Sequence, residues 1–264
     1  MAGSALLSPV EVYDARRRHY FLGAPFDCIA KKTVVDLVNN CGSDARFRYV
    51  VTPNVDHVVR LNKNTMLAPC YDHAWLSLCD SQPIARLAKI LSLDLPLVTG
   101  SDLTAVLFSS VIQNGDRITL IAANATIVRA LELAYPGVCF RGLVPPDAVG
   151  SDPAALEDCV DFAIREGARF IFIAIGSPQS EKIAHAMLTH PEAQGIGFCV
   201  GASLEFLIGS KKRAPAWMRR AGIEWLHRLA SDPKRLWRRY VFAIVPLIRL
   251  FAGEVARRHY PRLR

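Results

Sequence analysis

Four short polar segments, each directly after an apolar run, hold the side chains best placed to do chemistry. They are Thr52-Pro53-Asn54, Asp80-Ser81-Gln82, Ala122-Ala123-Asn124 and Gly176-Ser177-Pro178-Gln179-Ser180-Glu181. Hydroxyl, amide and carboxyl groups gathered at one edge can bind and orient a polar substrate. A second chemistry lies at the C-terminal end. Residues 211–264 carry 15 Lys/Arg and 3 Asp/Glu, a net +12, while the whole chain is +8. Residues 1–210 therefore total −4. The basic segment is also rich in large apolar residues, among them Trp217, Trp225, Leu229, Trp237, Tyr240 and Phe251. Such a surface suits a partner that is both anionic and greasy, as lipid headgroups are. Each polar segment also has a plainer use. Thr, Asp, Asn and Ser at a strand-to-helix junction serve as helix N-caps, and Pro178 suits a first helical turn.

The elements that position these groups follow from periodicity. Apolar, β-branched runs at 46–52, 75–79, 117–122, 138–143, 170–175 and 197–200 predict strands. Helical patterns fall between them at 55–62, 84–91, 103–113, 125–134, 154–166 and 180–188. That alternation predicts an α/β fold, Rossmann-like, with a mainly parallel sheet and helices on both faces. Open parallel sheets bind ligands at the carboxyl ends of their strands, where the polar segments lie. Residues 1–210 are expected to form this core, and 211–264 a helical, membrane-associating appendage. Asp232-Pro233 opens a helix with an N-cap and an N1 proline. Leu236, Trp237, Tyr240, Val241 and Ile244 form its apolar stripe, and Pro246 is expected to break it. A last amphipathic piece sets Leu247, Ile248, Leu250, Phe251 and Val255 against Arg249, Arg257 and Arg258. With so few acids nearby, intrahelical ion pairs cannot absorb the positive charge.

Several chemistries are not indicated. There is no Walker loop, and Gly195-Ile196-Gly197 precedes its strand instead of following it. Seven scattered cysteines without a CxxC pair indicate neither a zinc site nor a disulfide framework, and fit a reducing compartment. The histidines form no metal pattern, and His185 and His190 read as surface residues of one helix. No Asp-x-Asp motif is present to carry a metal–diphosphate complex, so neither metal nor cofactor is expected. A bound diphosphate would instead need Arg/Lys side chains and backbone N–H groups. No signal peptide and no apolar stretch of spanning length are visible. The expectation is a cytoplasmic protein, peripheral on the inner face of the cell membrane.

A resemblance then emerges. Lys212-Arg213-Ala214-Pro215-Ala216-Trp217-Met218, Gly222-Ile223-Glu224-Trp225-Leu226-His227-Arg228-Leu229, Asp232-Pro233-Lys234-Arg235 and Trp237-Arg238-Arg239-Tyr240 resemble the C-terminal signature of the WecG/TagA/CpsF glycosyltransferases, glycosyltransferase family 26. The likeness runs through most of the chain. Residues 21–27 look like the family's opening strand, Thr52-Pro53-Asn54 its Thr-x-Asn motif, and Gly100-Ser101-Asp102-Leu103 its Gly-Ser-Asp element. The segment 176–181 resembles Gly-x-Pro-x-Gln-Glu, and 200–209 the family's Val-Gly-Gly-Ala-Phe-Asp-Phe-x-x-Gly.

The resemblance implies an inverting transfer from a UDP-sugar donor to a polyprenyl-diphosphate-linked sugar, in cell-surface polysaccharide synthesis. It puts Asp80 at the general base, which would take the proton of the acceptor hydroxyl. Thr52 and Asn54 would line the same pocket. Arg228, Arg235 and Arg238 would close over it and meet diphosphate, a group their guanidinium forks match. Asn124, Gly176, Gln179 and Glu181 complete the candidate substrate-binding set. The chain departs from the family at Ser81 for Gly, Ser180 for Gln with a Gln at 179, Ala122-Ala123-Asn124 for Gly-Gly, and Glu205 for Asp. These changes sit at ligand-facing turns and lean towards an exopolysaccharide-type enzyme. Two other classes remain open: a nucleic-acid-binding protein using the basic arm, and a lipid-docked scaffold of the same fold without turnover. The regular apolar stripe favours membrane over nucleic acid.

Overall fold

The computed structural model describes residues 18–42, 45–147, 149–211, 214–215, 217–218 and 233–259, with the backbone alone at 233–243 and 259. The chain enters through a hairpin of β1 (Arg18–Phe21) and β2 (Ala24–Asp27). The single opening strand expected over 21–27 is therefore two short ones. Leu22 and Gly23 both adopt positive φ, 55° and 78°, which folds the chain back in two residues.

Six strands follow in one all-parallel sheet: β3 (Arg48–Val51), β4 (Leu76–Ser77), β5 (Arg117–Ala122), β6 (Cys139–Leu143), β7 (Phe170–Ala174) and β8 (Ile196–Cys199). Their spatial order is β4-β3-β8-β7-β5-β6. The Rossmann-like α/β class read from periodicity is thus the observed one. The inner strands are nearly all apolar because both sheet faces are covered there, whereas the edge strand β6 exposes Cys139, Arg141 and Gly142. Alternate side chains divide the core in two. Tyr49, Val51, Ile121, Ile171, Ile173 and Cys199 point to one face. Val50, Leu76, Ile118, Leu120, Phe170, Phe172 and Phe198 point to the other.

The first face is covered by α2 (Val55–Lys63), α4 (Gln82–Ile90), α7 (Pro153–Glu166) and α8 (Gln179–Thr189). The second is covered by α1 (Lys31–Asn39), α5 (Gly100–Ser110), α6 (Ala125–Ala134) and the short α9 (Ser203–Leu207). Helix α1 was missed by the periodicity reading, although Val34, Leu37 and Val38 carry its buried stripe. A further one-turn helix, α3, spans Pro69–Asp72.

Strand β4 is only two residues long, and the hairpin fixes it. Arg18 forks onto Asp27 at 2.9 and 2.8 Å and also donates to the carbonyls of Asp72 and Ala74. Asp27 in turn accepts the N–H of Ser77 at 2.7 Å. A charge-assisted fork of this kind compensates for the weak pairing of so short an edge strand.

The last described element, α10 (Pro233–His259), runs unbroken through Pro246, where a break was expected. An interior proline costs about 3 kcal/mol of helix stability. Packing offsets it: Leu247 is buried and Leu250 and Phe251 lie against the first-face core. Arg258 also donates to the carbonyl of Leu91 at 3.1 Å. Ile248, read as part of the inner face, points outwards with Ile244 and Val245. Glu254 pairs with both Arg257 and Arg258, so one acid does absorb charge locally.

Candidate active site

A cavity of about 690 Å³ opens at the carboxyl ends of β3, β4, β7 and β8. Topology places it there. Helix α2 leaves β3 towards the first face and α9 leaves β8 towards the second, so the chain parts above two neighbouring strands. Crevices of this type are the ligand sites of open parallel sheets. Thr52, Asn54, Asp80, Gly176 and Glu181 line the cavity.

Asp80 follows β4, and three contacts fix its place. Its N–H donates to the carbonyl of Pro53 at 3.1 Å. The preceding residue, Cys79, forms a bridge with Leu97 and accepts the N–H of Val98 at 2.9 Å. That pairing delivers the start of α5, where Gly100 donates its N–H to Asp80 Oδ2 at 3.1 Å. The carboxylate therefore meets the positive end of a helix. Position 100 is tight: a Cβ there would lie 3.1 Å from Ser203 Oγ and 3.2 Å from Thr52 Oγ1, so those hydroxyls would have to give by a few tenths of an ångström. Gly100 is thus the close-approach point that packs α5 against the ends of β3 and β8. Thr52 is buried and donates from Oγ1 to the carbonyl of Cys199 at 3.3 Å, which ties β3 to β8.

Helix capping and cavity lining coincide at one asparagine and separate at the other. Asn54 caps α2 by accepting the N–H of Asp56 at 3.0 Å and also lines the cavity. Asn124 caps α6 by accepting the N–H of Ile127 at 3.1 Å, but it is exposed at the end of β5 and is not among the lining residues. Gln179 is likewise not among them. It packs where a Cβ on Gly150 would come within 2.7 Å of its Cγ. Arg228 lies outside the described residues. Arg235 and Arg238 lie in α10, with their side chains outside them.

Glu181, in the first turn of α8, is the most perturbed acid. It is 2% exposed. Burial drives its carboxyl up from 4.5 to about 7; a Ser177 hydrogen bond and the Arg60 charge pull partly the other way. Among the described residues its Oε2 has no hydrogen-bond partner. His57 Nδ1 stands 3.8 Å from Oε1, and the Tyr71 hydroxyl lies 3.4 Å from His57 and 3.3 Å from Ser177. Burial raises the Tyr71 phenol above its ordinary range, so it is a neutral hydrogen-bonding group.

His57, Arg60 and Lys63 line the cavity but belong to none of the polar or family-like segments singled out in the sequence; Ser101, Ser177 and Ser203, which also line it, lie in such segments without a role having been given to them. A signal was present in α2: Val58, Val59 and Leu61 are its buried side, leaving Asp56, Arg60 and Lys63 together on another. Which element that side would meet is a matter of topology. His185 is half-buried in α8, its Nε2 3.0 Å from His73 Nδ1, and His190 lies just past the helix end. Burial and His73 lower the His185 pKa. All seven cysteines are free thiols. Among the described residues no three His, Cys, Asp or Glu side chains converge on a metal position. No described helix is long and apolar enough to cross a membrane.

Comparison with known proteins adds two findings. The model of the family described as "Glycosyl transferase WecG/TagA/CpsF family" matches residues 19–261. A curated relative from Bacillus subtilis (strain 168) is 29% identical over 147 residues. Its name is N-acetylglucosaminyldiphosphoundecaprenol N-acetyl-beta-D-mannosaminyltransferase. The match covers 54% of the chain and 54% of the relative, so the chain spans about half of that protein's length.

Proposed function

The chain belongs to the WecG/TagA/CpsF glycosyltransferase family, and on that premise we propose that it is an inverting glycosyltransferase. It moves a sugar from a UDP-sugar to a polyprenyl-diphosphate-linked sugar in bacterial cell-surface polysaccharide synthesis. The observation that carries this is the setting of Asp80: a carboxylate on the cavity wall, fixed by Gly100 N–H at 3.1 Å, beside Thr52 and Asn54.

Asp80 is the general base in this scheme. As the acceptor hydroxyl oxygen attacks the anomeric carbon, its proton passes to the carboxylate. The new C–O bond forms on the face opposite the leaving group, and the bond to the diphosphate oxygen breaks with its electron pair. The configuration inverts, and UDP leaves. Holding one carboxylate oxygen on a backbone N–H fixes the direction of the base, which supports transfer along a single path. Thr52 and Asn54 position the sugars, and Gly176 gives the backbone room to approach them. Arg228, Arg235 and Arg238 meet the departing diphosphate.

Residues 211–264 act in this proposal as an appendage that holds the enzyme at the inner face of the membrane, where a polyprenyl acceptor resides. The outward Ile244, Val245 and Ile248, 49%, 48% and 61% exposed, support that role beside Arg249. The relative's name places N-acetylmannosamine first among donors to test, with glucose next. The test is a donor screen by mass spectrometry: full-length protein, a panel of UDP-sugars, and a short-chain polyprenyl-diphosphate N-acetylglucosamine. One UDP-sugar should give a product heavier by one sugar, with UDP released. Absence of product with every donor, from protein that remains folded, would remove the assignment.

A further inference from the structure

The acidic body holds cations of its own at the cavity. Arg60 and Lys63, one turn apart on α2, both line it. Cations in the last turn of a helix are ordinarily explained by its dipole. Arg60 is not used that way. Its Nη1 crosses to the loop after β7 and donates to Ser177 Oγ at 2.8 Å, which aims the guanidinium over the strand ends. The partner is a neutral hydroxyl. Among the described residues no carboxylate oxygen lies within 4.0 Å of Arg60 or Lys63.

The acid whose charge couples to Arg60 is Glu181, and burial keeps that carboxyl protonated to about neutral pH. It therefore leaves most of the Arg60 charge uncancelled below neutrality. The remaining acids of the wall, Asp56 and Asp80, sit at the start of α2 and at the end of β4. Beside Ser177, Gly176 has φ +93° and nothing within 4 Å of the place a Cβ would occupy; Gly201, after the neighbouring strand β8, has φ +52° and the same open space. Backbone faces the cavity at both points with no side chain to fend off a bulky polar group.

We propose that Arg60 and Lys63 form an anion subsite in the body itself, which takes the diphosphate of a substrate. A guanidinium with four N–H groups beyond the one given to Ser177, one helical turn from the exposed Lys63 ammonium, matches a diphosphate's paired oxygens. The proposal rests on the transferase assignment for the identity of its ligand. Both substrates of that reaction carry a diphosphate, so the subsite serves either the UDP-sugar or the lipid-linked acceptor.

The test titrates full-length wild type, R60Q, R60K and K63Q with UDP, uridine and inorganic pyrophosphate by calorimetry. It then measures KM for the UDP-sugar and for the short-chain polyprenyl-diphosphate N-acetylglucosamine separately. R60Q should weaken UDP or pyrophosphate at least tenfold and leave uridine unchanged, K63Q should weaken them about threefold, and R60K should fall between. A rise in KM for the donor alone assigns the subsite to UDP; a rise for the acceptor alone assigns it to the lipid diphosphate. Should R60Q fail to fold, K63Q, whose side chain is exposed, decides by the same measurements. Transfer by the wild type with affinities and both KM values unchanged in the folded variants would overturn the subsite alone. UDP binding that depends on Arg60, without transfer to any acceptor, would overturn the transferase assignment and keep the subsite. A wild type that binds no diphosphate at all would overturn both.

Discussion

Strands β3 and β5 occupy matching places, each second from an edge of the sheet. Each ends in a short polar segment, and each feeds a helix capped by an asparagine, Asn54 or Asn124. Yet Asn54 lines the cavity and Asn124 faces solvent. The difference lies in what reaches the strand end from elsewhere. At β3, the Cys79–Leu97 bridge brings in α5, and β8 brings in Gly201 and Ser203. At β5, none of the described cavity-lining residues comes from its own junction or that of its edge neighbour β6. A capped strand end is common to both. A site requires a third element that carries donors across the edge.

The largest effect expected from this contrast is catalytic. D80N should lower kcat by about 10² to 10⁴ while leaving UDP affinity within twofold, since an amide cannot take the proton. N124A should keep wild-type kcat. Steady-state assays on both variants check this, and a comparable loss in N124A would break the distinction between the two strand ends.

The next concerns the two buried polar atoms that lack a partner among the described residues: Glu181 Oε2 beside the cavity and Thr119 Oγ1 on β5. Glu181 is raised from 4.5 to about 7 in the fold, so the folded state holds its proton where the unfolded state has lost it. Stability should therefore fall as pH rises from 4.5 to 7 and then level off, a total of about 3 kcal/mol. E181Q lacks this titration, so its chemical-denaturation midpoint should gain on wild type between pH 5 and pH 8. An equal pH profile in both proteins would show that Glu181 is charged in the fold. On β5, T119V removes an orphan hydroxyl and should stabilise by about 1 kcal/mol at every pH.

The smallest effect is the most diagnostic. N54A and N124A each remove one N-cap and should each cost about 1 kcal/mol by thermal or chemical unfolding. Only N54A should also raise a substrate KM. Equal costs with unequal KM values separate the capping role from the binding role.

Much of this was legible beforehand. Apolar runs placed all six strands of the parallel sheet; the inner strands, buried on both faces, have no polar alternation to obscure them, and the edge strand β6 carries exposed residues such as Arg141. The same runs pointed to the polar segments at their ends. The hairpin was not legible as two strands, because its turn depends on Leu22 taking a positive φ that leucine does not advertise. Nor was the survival of α10 through Pro246, because a local penalty was outweighed by packing of Leu247, Leu250 and Phe251 on a distant core. Nothing in the spacing around Arg60 and Lys63 pointed to the cavity they line.

By itself the sequence determined the α/β class, the strand ends at which polar groups collect, the family signature and the charge divided between body and arm. These depend on residue type and spacing along one segment. Tertiary structure alone decided that Gly100 meets Asp80, that Arg60 reaches Ser177, that Glu181 is buried enough to hold its proton, and that Asn54 but not Asn124 meets the cavity. Each of those joins segments at least 20 residues apart, or depends on how much water the surrounding fold excludes. Spacing within one element carries no information about which neighbour the sheet order will place beside it.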